Sequence, residues 1–389
     1  MNFRKHSNQI ELDQFFKTMT KQKNDSQHIT KPAFFQARKQ LSHTAFIELN
    51  HQLNNKVYEQ NQKLKSWQGF RLCAVDGTSI RLPNEPDITN HFGVHKGRES
   101  QTKCAMGMAS VFYDLLNHVV IDACVKPVNT SERKCAAEHL VYARSNDLVI
   151  YDRGYNAFWL HSLHIQNNHK FCVRAKTNQN LAVKSFIASG EKEAVVTFTP
   201  NKTSLKTCQE KGLPCFPLKL RLVRVDLSNE VEVIITNLMD TDRYPSHLFK
   251  SLYHARWGIE ENYKRLKQWV EIENFSGKST LSVKQDFHAK ILAMNLTAII
   301  AIHSNKNIQK TTKHRKLKYQ INFAQALSKM KHKIVLLILT SREDISTMLK
   351  EISDYFTRTI EAVRPGRTAP RRLKNIKNDI HYSAYKSTL

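Results

Sequence analysis

Tyr253-His-Ala-Arg-Trp-Gly-Ile-Glu-Glu-Asn-Tyr-Lys-Arg-Leu-Lys-Gln-Trp269 is the stretch on which the reading of this chain turns. Wound as one helix, it places Leu252, Ala255, Ile259, Asn262, Leu266 and Val270 on a stripe wide enough to bury on a core. Tyr253, Arg256, Glu260, Lys264 and Lys267 gather on another face, one carboxylate amid a phenol and three cations. A solvated surface laced with pairs such as Glu260 with Lys264 is one reading of that face. Glu260, however, has more cationic neighbours than pairing needs, and surplus Arg, Lys and Tyr at helical spacing suit phosphate oxygens. A carboxylate that holds a metal beside a polyanion is the second reading, and it requires further carboxylates upstream.

Two are found. Phe70-Arg-Leu-Cys-Ala-Val75 is strand-like and runs into Asp76-Gly-Thr-Ser, where Gly77 is expected to turn the backbone just past the acid. Asp147-Leu-Val-Ile-Tyr151 is a short apolar strand that runs into Asp152-Arg-Gly-Tyr155, with Asn156 available to cap the helix carrying Phe158, Trp159 and Leu160. An Asp-Gly at a strand end is by itself more often a turn than a ligand. Acids at strand ends of one mixed sheet nevertheless converge outside it, so Asp76, Asp152 and Glu260 form a candidate catalytic set. Three carboxylates brought together need a counter-ion or protonation, and hard oxygen ligands select Mg²⁺ or Mn²⁺. Two such ions would activate an attacking water or 3′-hydroxyl and stabilise the leaving oxygen of a phosphodiester.

The totals supply the substrate. Lys and Arg number 60 against 34 Asp and Glu, a surplus of 26 spread along 389 residues that are 41% hydrophobic. A folded protein with that balance is expected to bind a polyanion, nucleic acid first and an anionic membrane surface second. The apolar windows near residues 291–302 and 334–339 are short, Asn295 interrupting the first, and MNFRKHSNQI lacks the apolar run of a signal peptide. A soluble cytoplasmic protein follows, in which seven cysteines without a C-x-x-C pair are reduced core residues and none of the 18 histidines is a metal ligand.

Around the acids the chain divides by texture. Residues 1–69 read as a helical region able to lie on DNA, with Leu12, Phe15, Phe16 and Met19 on one face and a second helix opening at Thr30-Lys-Pro32. Residues 70–174 form the first part of an α/β core, with a hairpin of strands at 105–113 and 117–125 and a helix opened by Thr130-Ser-Glu132. Residues 175–247 read as a β-rich insertion with strands at 193–199, 218–226 and 230–237. Residues 248–305 carry the Glu260 helix and an apolar helix. Residues 306–389 are helical and basic, starting with a lysine-rich linker at 306–318 and ending in Arg364-Pro-Gly-Arg-Thr-Ala-Pro-Arg-Arg372, expected to lie extended on a partner.

Tyr253, Arg256, Glu260 and Lys267 reproduce the pattern Tyr-x2-Arg-x3-Glu-x6-Lys, and Val-Asp-Gly-Thr at Asp76 and Tyr-Asp-Arg-Gly-Tyr at Asp152 resemble the two aspartate motifs that accompany it. The chain thus resembles the bacterial insertion-sequence transposases of the DDE class, insertion sequence family four, over about residues 30–372. The resemblance implies a ribonuclease-H-like mixed-sheet core with a β-rich insertion. It implies cut-and-paste transposition through a hairpin intermediate, with Asp76, Asp152 and Glu260 holding two Mg²⁺ ions, Mn²⁺ substituting. Tyr253, Arg256, Lys264 and Lys267 would grip DNA phosphates, and Arg153 and Tyr155 either touch DNA or buttress the loop. A homodimer on paired transposon ends is the implied assembly, acting on terminal repeats and target DNA at the nucleoid. In relatives a tryptophan of the insertion holds a flipped base, but residues 175–247 contain none. Trp159, Trp257, Tyr244, Phe198 or Phe216 would have to take that role, and Trp257 reads first as packing. The competing readings are a nuclease that cuts without joining, and a DNA-binding regulator or structural protein that keeps the fold.

Overall fold

A computed structural model describes residues 7–20, 29–60, 64–96, 103–227, 230–339 and 341–364. The basic tail beyond Arg364 therefore lies outside the described residues. Three helices come first, α1 (Asn8–Thr20), α2 (Lys31–Arg38) and α3 (Thr44–Gln60). Thr30 caps α2 by accepting from Ala33 N, and Pro32 sits in its first turn, where no backbone N–H is needed. The core then runs β1 (Arg71–Arg81), α4 (Pro86–Phe92), β2 (Val94–Lys96), β3 (Lys103–Asp114), β4 (Val119–Pro127), α5 (Glu132–His139), β5 (Asp147–Tyr151), α6 (Phe158–Gln166) and β6 (Lys170–Arg174).

β3 pairs antiparallel with β4 and β1, β1 pairs parallel with β5, and β5 pairs parallel with β6. The order β4-β3-β1-β5-β6, a three-stranded meander followed by two parallel strands, is the ribonuclease-H-like arrangement expected. β1 shows why the sheet is covered on both sides: Leu72 and Ala74 enter one apolar cluster, Cys73 and Val75 the other, and all four are at most 2% exposed. At the ends of β1 and β5 remote from Asp76, Arg71 and Asp147 form a buried bidentate pair.

Next come α7 (Leu181–Ser189), β7 (Glu193–Phe198), α8 (Lys202–Glu210), β8 (Leu218–Asp226) and β9 (Val231–Thr236). β9 pairs with β6, β8 with β9 and β7 with β8, so these strands extend the same sheet. The three strands lie where the sequence put them, but the block also holds two helices. Their signals were local: Asn180 and Asn201 accept from Val183 N and Ser204 N as caps, and Gly190 ends α7 at φ 73°.

The expected single helix over 253–269 is instead α9 (Phe249–His254), a tight link, α10 (Trp257–Lys264) and a π-helical turn over Arg265–Trp269. Then follow α11 (Thr280–Thr311), β10 (Lys318–Ile321), α12 (Phe323–Leu339), α13 (Arg342–Arg358) and β11 (Ile360–Val363). α11 takes in the first part of the expected lysine-rich linker because Ile308, 1% exposed, anchors its last turns. It is long and apolar enough to span a membrane, but 72% of its apolar window is buried within the protein. Asn295, which interrupts that window, is fully buried: its side chain donates to Val120 O and Asn50 Oδ1, both at 2.6 Å, and accepts from Val120 N at 2.8 Å, joining α11 to β4 and α3.

Candidate active site

Asp76 is not at a strand end. β1 continues to Arg81 because β3 pairs with it throughout, while the parallel partner β5 pairs last at Ala74 with Ile150. Asp76 and Asp152 each lie two residues past that last pair, where β1 loses its parallel neighbour and β5 ends. Gly77 accordingly makes no turn. A Cβ there would stand 2.9 Å from Glu132 Cγ, so a side chain fits at this position only if Glu132 is displaced. Asp152 caps the short turn over Arg153–Tyr155 by accepting from Gly154 N at 2.6 Å. Asn156, expected as a helix cap, does not cap. Ala157 and Ser131 occupy the N-cap positions of α6 and α5 without side-chain bonds, and Asn156 donates to Gln179.

The Asp76 backbone is held from below. Its carbonyl accepts from Tyr263 Oη at 2.6 Å and from Ser110 Oγ at 3.3 Å. Ser110 meets His139 Nε2 at 3.0 Å, and His139 Nδ1 meets Asp122 Oδ2 at 2.6 Å. That Ser-His-Asp series is not a nucleophilic triad, since Ser110 and His139 are both fully buried. Its geometry ties β1, β3, β4 and α5 together under the carboxylate. Sequence reasoning missed Tyr263, Ser110, His139 and Asp122, whose partners are distant in the chain.

Burial pushes the Asp76 carboxyl up to about 7, and the nearby Glu132 and Asp152 carboxylates add to the rise; the Gly77 amide and Arg256 oppose it. Glu132 is raised as well, by burial and then by Asp152. Glu260 is not in that group: it accepts from Arg256 Nη2 at 3.1 Å, and the Arg256 charge acts on Asp152 and Asp76 too. Among the described residues no three His, Cys, Asp or Glu side chains converge closely enough to hold an ion. Asp76 and Asp152 are thus brought together, while Glu260 is joined to them through Arg256. The donors are hard oxygens whose repulsion the Arg256 and Arg133 guanidinium groups offset in part, and the buried Tyr155 hydroxyl beside them has no hydrogen-bond partner among the described residues, which fits a divalent cation.

A titration follows from the Asp76 shift. Its folded pKa of about 7 lies above the ordinary carboxylate value of 3.8, so its contribution to stability is full below pH 3.8 and lost as pH rises through 7. In metal-free buffer, Asp76→Asn should gain stability relative to the native chain between pH 5 and pH 8, by about a few kcal/mol. Thermal melts showing a constant difference over that range would contradict the shift.

The helical stretch lies across β1. Lys267 Nζ donates to Thr78 Oγ1 at 2.9 Å and to Ser79 O at 3.1 Å. Leu252, Ile259, Asn262, Leu266 and Val270 are buried as the stripe requires, with Ala255 partly so. Arg256, Gly258 and Ile259 each donate to the carbonyl three residues back, which tightens the link, and Val270 N reaches back to Arg265 O, which widens the last turn. The tight link turns Trp257 outward, 49% exposed beside the Arg256 guanidinium, so it is not core packing. Tyr253 is buried, Lys264 and Arg153 are exposed, and Tyr155 is 1% exposed with its ring on Tyr151, a buttress to the Asp152 loop. Of the other aromatic candidates, Phe216 is 62% exposed, Trp159 is half-buried under Lys211, and Tyr244 and Phe198 are buried.

The family described as transposase DDE domain matches residues 67–296. The transposase InsG for insertion sequence element IS4, from Escherichia coli strain K12, is 25% identical over 240 residues, 59% of this chain and 52% of its own length. The match therefore spans about half of that relative. Among solved structures, the chain is similar to the piggyBac transposase in a synaptic complex with hairpin DNA, at 8% identity and a TM-score of 0.40, over 77% of this chain and 59% of that one.

Proposed function

Because the chain belongs to the transposase DDE domain family, we propose that it excises an insertion sequence from DNA and joins it to a new target. Water attacks at the element's end, and the freed 3′-hydroxyl closes a hairpin on the element. The hairpin is reopened and the 3′-ends are joined to target DNA. Asp76, Asp152 and Glu260 hold divalent ions, two Mg²⁺ with Mn²⁺ as a substitute. When bound, these supply the Lewis acidity that activates the attacking oxygen and stabilises the leaving one.

The observation that carries the reading is the placement of the Glu260 helix over β1, with Tyr263 on the Asp76 carbonyl, Lys267 on Thr78 and Arg256 between Glu260 and the two aspartates. Arg256 keeps the three acids together in the absence of substrate and is free to turn to a phosphate when a cation replaces it. Lys264 and Arg153, both exposed, grip the backbone of the strand, with Lys267, which rests on Thr78 and Ser79, and the buried Tyr253 beside them. DNA is the partner, bound by a homodimer on paired ends, each subunit cutting the end its partner holds, in the cytoplasm of a bacterium at its nucleoid.

Incubating the full chain with its element's terminal repeats, Mg²⁺ and a target plasmid should yield both nicked ends and strand-transfer products. Nicking alone would leave a nuclease, and binding with neither product a regulator. Because many phosphates are neutralised, affinity for the repeats should fall about 10³-fold or more between 50 and 200 mM salt. A nearly flat salt titration would contradict the basic surface as the binding face.

A further inference from the structure

Gly77 lies in an extended strand, and its missing side chain makes room for one residue: a Cβ would also come within 3.0 Å of Glu132 Oε1. Glu132 begins α5, and its neighbour Arg133 donates from Nε to Gly154 O at 2.7 Å, in the loop that Asp152 caps. The start of α5 thus lies close against β1 at Gly77 and is bonded to the Asp152 turn through Arg133.

An independent observation at the same place is Tyr155. Its ring is 1% exposed, and its hydroxyl is buried without a hydrogen-bond partner among the described residues, a state that is unfavourable unless something meets it. After burial itself, the charges that act on this hydroxyl are those of Asp76, Glu132 and Asp152, with Tyr263 among them. An orphaned donor under the charge of three carboxylates that do not yet converge on an ion marks a site whose polar partner is a ligand or a carboxylate reoriented by one.

We infer that Glu132 is a fourth carboxylate of this site, a ligand to its divalent cation beside Asp76 and Asp152, with the Tyr155 hydroxyl as the donor that fixes carboxylate orientation in the loaded state. The inference rests on the cation-binding role of Asp76 and Asp152. Hard carboxylate oxygens are the donors such a cation takes, and adding one raises affinity through ligand charge. Gly77, read from sequence as a turn, becomes the residue that admits the fourth ligand.

Mn²⁺ binding to the full chain without DNA, measured by titration calorimetry and by the shift in melting temperature that Mn²⁺ produces, tests this directly. Glu132→Gln keeps the shape of the side chain and should weaken Mn²⁺ about tenfold or more. Its metal-free melting temperature should match or exceed the native one, because a repulsion is removed. Gly77→Ala, which displaces Glu132, should show the same loss of Mn²⁺. If Glu132→Gln binds Mn²⁺ like the native chain while Asp76→Asn loses it, the fourth ligand is overturned and the cation site stands. If Asp76→Asn also leaves the affinity unchanged, the cation-binding role of the aspartates fails, and this inference with it.

Discussion

Asp76→Asn, Asp152→Asn or Glu260→Gln should each lower cleavage at the element's end by about 10³-fold or more, with DNA affinity within about threefold of the native chain. Each change preserves shape and removes one ionised oxygen. For Asp76 the surroundings change least, because its carbonyl remains bonded to Tyr263 and Ser110 whatever the side chain. Affinity is spared because phosphates are met by Arg and Lys, and removing an anion from a basic surface favours DNA slightly if at all. Glu260→Gln carries a further expectation: Arg256 loses its charged partner at 3.1 Å and turns to Asp152, so the variant should bind the cation less well than the loss of one ligand alone requires. Gel-shift and cleavage assays on the same preparation give both numbers, and cleavage that persists in Asp76→Asn would remove the aspartate from the chemistry.

The largest stability effect is expected at the other end of the same two strands. Arg71 donates from Nε and Nη2 to the two oxygens of Asp147, both at 2.6 Å, and the pair is 6% and 0% exposed. The Arg71 guanidinium also lies 4.4 Å from the Tyr58 ring, and Tyr58 Oη donates to Asp114 Oδ2 at 2.8 Å, so α3 is tied to the sheet through it. Asp147→Ala leaves a buried cation without its anion and should cost about 3–5 kcal/mol in urea unfolding. Arg71→Met combined with Asp147→Leu should recover most of that loss, since packed apolar groups replace a desolvated pair at little cost. A loss below about 1 kcal/mol in the single variant would mean water reaches the guanidinium. The fraction that remains folded should keep its metal chemistry, because the pair stands at the strand ends remote from Asp76 and Asp152.

These two expectations divide what was legible in the sequence from what was not. The stripe of Leu252, Ile259, Asn262, Leu266 and Val270 was legible because its period is local, and so were the hairpin and the strands of the insertion. Thr30 before Pro32 announced a helix start by the same local logic. Asp76 and Asp152 were visible as acids following apolar runs, yet the meaning of Gly77 was not. A turn is encoded next door, whereas the space it leaves for Glu132 depends on a helix some fifty residues on. Ser110, His139, Asp122 and Tyr263 escaped for the same reason: each is unremarkable in its own segment and acquires a role only when the sheet brings it under Asp76. The continuous helix failed at the link before Trp257. Just beyond it, in the first turn of α10, Gly258 passes so close to Leu115 that a Cβ would be 3.2 Å from its Cδ2, a tertiary contact that no periodicity contains.

The π-helical turn over Arg265–Trp269 accommodates more residues per revolution than α10 before it. Chain length in this short segment is therefore a mechanical quantity. Removing one residue ahead of Lys267 would let the backbone relax to ordinary winding with Val270 still in phase with the core, and would draw the Lys267 ammonium off the rail formed by Thr78 and Ser79. Substitution at exposed Gln268 changes neither. The six-residue interval between Glu260 and Lys267 is thus a measure of how far a wide coil must reach to clamp a neighbouring strand.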